Sequence, residues 1–105
     1  MDAGALDQRI VIETPETVAD ELGQENLTWV SLGEFWAKAM ETPGREFLAG
    51  DYRAEEKTVF IIRWQQLDST ARVRWADRIW RIESLTGTRR DHFCYLHTFA
   101  IDGPN

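Results

Sequence analysis

Residues 58–64 have the sequence Thr58-Val59-Phe60-Ile61-Ile62-Arg63-Trp64. The stretch is rich in β-branched and aromatic side chains, which suit the pleated and half-buried surface of a sheet. We predict a β-strand here, and no other part of the sequence predicts one as strongly.

A β-hairpin is predicted directly downstream. Its arms are Arg72-Val73-Arg74-Trp75 and Ile79-Trp80-Arg81-Ile82, and Ala76-Asp77-Arg78 forms the turn. On the first arm Val73 and Trp75 share one face and the two arginines share the other, as in an antiparallel strand with one buried side. We therefore expect the tryptophans to fill the core and the arginines to point outward.

Shorter alternating or apolar stretches predict the remaining strands. They are a first strand around Leu6, Ile10 and Ile12 that ends at Pro15, and, after a turn at 20–24, strands at 26–30, 35–40 and 92–101. Six or seven short strands separated by turns predict a mainly β fold, either a small barrel or a sandwich.

Composition limits the class of protein. The chain has 105 residues, 43% of them apolar, and five tryptophans, which suffices for one domain with a modest core. A single cysteine excludes an internal disulfide framework. No apolar run approaches the roughly 18 residues of a membrane span, and the first residues lack the pattern of a secretory signal.

The charge is distributed unevenly along the chain. Residues 1–57 carry 13 acidic and 5 basic residues, whereas residues 58–105 carry 5 acidic and 7 basic residues, all of them arginine. A net charge of −6 argues against a dedicated binder of duplex DNA. A molecule with one acidic and one basic half can bind copies of itself or a partner of complementary charge. An uneven distribution of solvated surface charges explains the same counts equally well.

The segment between the predicted strands ending near Met40 and starting near Thr58 is long for so small a chain. Connections of this length are usually functional or disordered. It contains Phe47, Leu48 and Tyr52, which a solvated loop would not need. Residues 45–48 or 51–56 could form a helical turn or two, and an ordinary short helix covering one end of a barrel is the plain alternative.

The sequence offers no convincing catalytic or metal site. His92, Cys94 and His97 invite a zinc interpretation, but strand alternation places His97 on the opposite face from the other two. The same geometry excludes a Cys–His nucleophilic pair. Phosphate-binding glycine motifs and metalloprotease motifs are absent, and carboxylate pairs lie in polar turns. We expect neither an enzyme nor a bound cofactor or metal.

A nucleic-acid module is the alternative from another class. Barrels of the oligonucleotide-binding type stack bases on exposed aromatic rings in a basic groove. The residues that would do so here are Trp64, Trp75 and Trp80 with Arg63, Arg74 and Arg81. Because the predicted alternation turns Trp75 away from its arginine neighbours, this alternative is the weaker one.

Six motifs in collinear order over residues 3–99 carry a family resemblance. They are Ala3-Gly4-Ala5-Leu6-Asp7-Gln8-Arg9-Ile10-Val11-Ile12; Asp20-Glu21-Leu22-Gly23-Gln24 with Thr28-Trp29-Val30; Phe35-Trp36-Ala37-Lys38-Ala39; Gly44-Arg45-Glu46; residues 58–64; and residues 72–75 with 80–85. Their order and spacing resemble the head–tail joining family of tailed phages, also called head-closure or stopper proteins. The chain departs from the family pattern at the turn 76–78, where glycine is common, and after Leu96.

The resemblance implies a structural virion protein in the neck of the particle. Members are small β-barrels, here a single domain over residues 1–105, that form a ring of usually about twelve copies beneath the portal and its adaptor. The ring closes the DNA channel after packaging and offers its lower face to a tail-terminator or tail protein. Double-stranded DNA would pass without sequence-specific contacts, and no membrane is involved. Assembly is expected in the cytoplasm of the bacterial host; a phage, a prophage or a gene transfer agent are all compatible sources.

The resemblance also implies that the loop at about 42–57 projects into the channel. The residues that we expect to form the channel plug are Arg45, Glu46, Phe47, Leu48, Asp51, Tyr52 and Arg53. Arg63, Arg72 and Arg74 are the expected contacts to the next subunit or to the adaptor, with solvated strand faces as the plain alternative. Within the same particle an adaptor or a tail terminator is the runner-up function, although adaptors are expected to be largely helical.

Overall fold

The computed structural model describes residues 3–42 and 56–101. These residues form six strands: β1 (Gln8–Ala19), β2 (Glu25–Thr42), β3 (Lys57–Arg63), β4 (Arg72–Trp75), β5 (Arg78–Thr88) and β6 (Phe93–Ala100). Two short 3-10 turns, Ala3–Ala5 and Arg89–Asp91, precede β1 and connect β5 to β6.

The strands close into one antiparallel barrel in the order β1-β2-β3-β6-β5-β4, with β4 pairing back onto β1. Closure leaves no open sheet edge around the barrel wall. The predicted mainly β fold is therefore confirmed, and of the two predicted architectures the barrel is the correct one. The helical turns that the sequence suggested within the segment 42–57 lie outside the described residues.

The core fills the inside of the barrel. Its largest fully buried side chains include Ile10, Ile12, Phe60, Ile62, Val73 and Leu96. The Phe60 ring meets those of Trp75 and Trp80 edge to face, with centroids 5.3 and 5.9 Å away. The Trp80 indole N–H donates to the Trp75 carbonyl at 3.1 Å, which satisfies the one polar atom of a buried ring. The expectation that the hairpin tryptophans pack inward is confirmed.

The turn between β4 and β5 contains the two residues Ala76 and Asp77. Both adopt positive φ, 55° and 60°, and Trp75 pairs with Arg78. Two consecutive left-handed residues define the type I′ turn that matches the twist of a two-residue hairpin. A Cβ is unfavourable in this conformation, and Asn-Gly is the preferred pair for it.

We expect the double substitution Ala76→Asn with Asp77→Gly to stabilise the barrel by about 1 kcal/mol, because it relieves left-handed strain. Urea unfolding followed by tryptophan fluorescence measures the change. The reverse outcome, a loss of stability, would mean that the turn has another geometry. Gln66→Asn, at an exposed position of the 64–71 connection, serves as a control outside the turn and should leave the stability unchanged.

The hairpin of β1 and β2 corrects the sequence prediction. Strand β1 continues through Pro15 to Ala19, and the two strands predicted at 26–30 and 35–40 are one strand. Pairing of β1 with β4 ends at Glu13, so Pro15 pairs only with Trp29 of β2. Proline has no backbone N–H and therefore cannot donate a hydrogen bond to a neighbouring strand. Beyond Glu13 one edge of β1 is unpaired, so no hydrogen bond is missing there and the strand continues through Pro15.

The outer part of this hairpin, residues 14–30, is a two-stranded ribbon in which β1 and β2 pair only with each other. A β-bulge at its base leaves Leu32 without a partner between the pairs Ile12–Gly33 and Glu13–Ser31. Gly33 has φ +126°, a conformation that side chains rarely adopt. Bulges bend a strand and increase its twist, so this one directs the ribbon away from the barrel wall.

Candidate functional site

The segment expected to form the channel plug begins and ends at one end of the barrel. Thr42, the last residue of β2, pairs with Lys57, the first residue of β3. The two ends of the segment therefore lie opposite each other on neighbouring strands. The predicted plug residues themselves (Arg45, Glu46, Phe47, Leu48, Asp51, Tyr52 and Arg53) lie outside the described residues.

Arg72 is bound within its own chain. Its Nε donates to the Glu13 carboxylate at 2.7 Å, and its guanidinium lies 4.0 Å from the centre of the Trp29 ring. Both charged side chains are largely buried, at 19% and 12% exposure. A charge-assisted hydrogen bond and a cation–π contact in such surroundings fasten the base of the ribbon to β4.

Arg74 lies on the same outer face of β4 but is placed differently. Its guanidinium is 3.7 Å from the other oxygen of Glu13 and more than half exposed. Water screens a guanidinium that is exposed to this extent, so the Arg74–Glu13 pair contributes less to stability than the Arg72–Glu13 bond, and Arg74 remains accessible at the surface.

Replacing Arg72 with methionine is expected to lower the free energy of unfolding by about 2 kcal/mol, because Glu13 loses its bonded partner and Trp29 loses its cover. The matched control is Arg74→Met, for which we expect a change below about 0.5 kcal/mol. Chemical denaturation of both variants measures the difference. Equal effects of the two substitutions would contradict the assignment of Arg72 as the anchor of the ribbon.

Arg63 does not join the other two predicted interface residues. It ends β3, and in the barrel order β3 is separated from β4 by two strands on either side. The exposed Arg63 side chain lines a shallow groove together with Leu6, Asp7 and Trp36. Across the groove, Arg9 lies over the half-exposed Trp36 ring at 4.8 Å and pairs with Glu34. The three arginines therefore belong to two separate surfaces.

The ribbon is the surface that the sequence prediction missed. Four of its apolar side chains are exposed: Val18, Leu22, Leu27 and Val30. Its charged residues are all acidic: Glu16, Asp20, Glu21 and Glu25. Two features of the sequence could have indicated this surface. Strand-forming residues lie on both sides of the turn 20–24, and no basic residue occurs between Arg9 and Lys38.

Asp20 orders the tip of the ribbon. Its carboxylate accepts hydrogen bonds from the backbone N–H of Gln24 at 2.8 Å and of Leu22 at 2.9 Å. These bonds, the one from Gln24 above all, hold the pKa of Asp20 below its ordinary value. The predicted turn at residues 20–24 is confirmed, and it is an Asx turn.

The three tryptophans that were predicted to stack bases, Trp64, Trp75 and Trp80, do not form a platform for them. Trp80 is 3% exposed in the core and Trp75 packs against it. Trp64 is half-buried, and Arg89 lies over its ring at 5.6 Å. Rings that are covered from within the chain are not available to nucleotide bases, so the structure does not support the nucleic-acid module.

The residues suspected of binding zinc are held in other ways. Cys94 is buried, and its sulfur accepts a hydrogen bond from the backbone N–H of Gln65 and donates one to the Gln65 carbonyl. On the other face of β6, the His97 ring lies within hydrogen-bonding distance of the Thr86 hydroxyl, at 3.0 Å. In residues 3–42 and 56–101 no three His, Cys, Asp or Glu side chains are grouped as metal ligands. The same residues contain no helix that is long and apolar enough to cross a membrane.

Comparison with known families decides what kind of protein this is. The family model of phage head completion proteins matches residues 1–100 of the 105. The chain belongs to this family. A phage head completion protein is a structural component of the virion, at the neck where head and tail join, and the family is not one of enzymes.

Two solved structures share the fold of this head completion protein. A chain from the virion of a native gene transfer agent particle is 25% identical, with a TM-score of 0.61, 91% of this chain covered and 96% of that one. Protein SF1141 from Shigella flexneri 2a is 20% identical, with a TM-score of 0.73 and coverage of 95% and 96%. No curated protein sequence matches the chain significantly.

Proposed function

We propose that this head completion protein forms a closed ring beneath the portal and its adaptor, where it closes the DNA channel after packaging and provides the face to which the tail attaches. The observation that carries the proposal is the family match over nearly the whole chain. The gene transfer agent chain that shares the fold comes from a virion, which supports a place in the assembled particle. The ring would be assembled with the particle in the bacterial host.

The plug is assigned to residues 42–57. The Thr42–Lys57 pair supports this, because it confines both ends of the segment to one end of the barrel. In a ring, Phe47, Leu48 and Tyr52 of neighbouring copies would meet at the axis and pack against each other. Each weak contact recurs in every subunit, so the whole plug is much more stable than any one contact.

The charges of this segment suit a gate that opens. Glu46, Asp51 and Glu55 would repel phosphate, so DNA leaving the head would not adhere to the open plug. Glu56 was expected to act in the same way, but its carboxylate pairs with Arg78. Arg63 and Arg74, whose side chains are exposed, are proposed as contacts to the next subunit or the adaptor. The structure gives Arg72 an additional role within the chain, since it is bonded to Glu13.

Electron microscopy of particles from a producing strain that lacks this gene tests the function. We expect packaged heads that lose their DNA and lie beside unattached tails. Restoring the gene on a plasmid should restore joined, filled particles. Intact tailed particles without the gene would refute the proposal.

A further inference from the structure

The ribbon, residues 14–30, exposes apolar side chains on both of its faces. Paired residues share a face, so Leu27 lies beside Trp29 on one side, while Val18 and Val30 lie on the other. Leu22 at the tip is 85% exposed. A two-stranded ribbon is marginally stable alone, and apolar groups exposed together on both faces indicate a surface that is covered by another molecule.

A complementary surface lies on the barrel of the same chain. Phe93 pairs with Arg63 at the end of β3 and with Thr88 at the end of β5, which brings Arg63 next to the turn that contains Arg89 and Arg90. We call Arg63, Arg89 and Arg90 the arginine cluster. Among the described residues no carboxylate forms an ion pair with any of the three. The half-buried Trp64 ring under Arg89 gives the cluster an apolar floor.

We propose that the ribbon of one copy docks onto the arginine cluster of the next copy. The inference rests on the proposed ring and names the two surfaces that would join its subunits. A ring needs a heterologous interface, in which one patch of each subunit meets a different patch of its neighbour. The ribbon and the cluster meet this condition, because they differ in sign and each combines charge with apolar area.

Charge also selects this arrangement over a symmetric dimer. Two ribbons facing each other would oppose Glu16, Asp20, Glu21 and Glu25 with their own copies, and two clusters would oppose arginine with arginine. Both of these symmetric pairings are repulsive, whereas the pairing of a ribbon with an arginine cluster is attractive. It is also the only one of the three pairings that can continue from subunit to subunit around a ring. The occupant of the ribbon surface is therefore a second copy of this chain.

A charge-exchange experiment tests the docking. The ribbon variant carries Glu21→Arg and Glu25→Arg, and the cluster variant carries Arg89→Glu and Arg90→Glu; Asp20 is kept because it orders the tip. Each variant alone faces like charge at every interface, so each should reduce the yield of joined particles in the strain lacking the gene by at least about 100-fold. Expressed together, the two should alternate around the ring and restore the yield to within about tenfold of wild type.

The controls separate the possible failures. Arg81→Glu changes an exposed charge on β5 outside both surfaces and should leave the yield unchanged. Glu83 is kept because its carboxylate pairs with Lys57 at the end of the plug segment. Full complementation by either double variant alone, or a mixture no better than each alone, would overturn the docking and leave the proposed function standing. Joined particles in the strain without any copy of the gene would overturn the function itself.

Discussion

Heads carrying a protein that lacks residues 45–54 are expected to lose their DNA, with at least about tenfold fewer filled heads than wild type, because every copy around the ring loses its plug contacts at once. The barrel should remain folded. Thr42 pairs with Lys57, so residues 43, 44, 55 and 56 remain to connect them, and a four-residue loop suits a β-hairpin. Electron microscopy and nuclease sensitivity of the packaged DNA measure the result.

The matched control keeps the length of the segment and removes only its apolar groups. Phe47, Leu48 and Tyr52 are replaced by serine, and the same leakage is expected if packing at the axis forms the plug. Tails should still attach in both cases if the barrel carries the tail face. Fully sealed heads with the deletion variant would show that the channel is closed by another element.

Replacing Phe60 with alanine is expected to cost about 3–5 kcal/mol of unfolding free energy, the usual range for a buried phenylalanine. The ring is fully buried and meets Trp75 and Trp80 edge to face, so its removal leaves a cavity among aromatic groups that cannot collapse easily. Small domains have a total stability of only about 5–15 kcal/mol, so the variant should be close to unfolding. The thermal midpoint should fall by roughly 15 °C or more.

Leu22→Ala provides the comparison for this variant. Leu22 is a large apolar residue too, but it projects from the tip of the ribbon, and its loss should change the stability of the free subunit by less than about 0.5 kcal/mol. Calorimetry of both proteins measures the contrast. A similar loss in the two variants would mean that Phe60 is not at the centre of the core.

The hairpin of β4 and β5 shows how far sequence alone leads. The alternation of Val73 and Trp75 with Arg72 and Arg74 predicted which side chains face inward, and the burial of Val73 and Trp80 confirms it. Strand β3 was predicted from its β-branched and aromatic residues in the same way. The order and spacing of the motifs pointed to the family to which the chain belongs.

The two arginines of β4 show where such prediction stops. They occupy equivalent positions in the alternation, yet Arg72 is anchored to Glu13 and Trp29, whereas Arg74 is mostly exposed. The difference depends on pairing between residues 59 positions apart in sequence. Pro15 is a similar case: it does not end its strand because the third strand, β4, stops pairing at Glu13.

By itself, the sequence determined the local features of this protein: which segments form strands, which faces of them are apolar, where the Asp20 turn and the β4–β5 turn lie, and the family. These follow from the two-residue period of a strand and from the preferences of single residues, which act over a few neighbours. Only the tertiary structure decided the strand order in which the barrel closes, that β1 and β2 extend beyond it as a ribbon, and that Arg63 lies near the turn of Arg89 and Arg90 and away from Arg72. Strand order and register depend on contacts between distant segments, and the local pattern of a segment does not identify its partner.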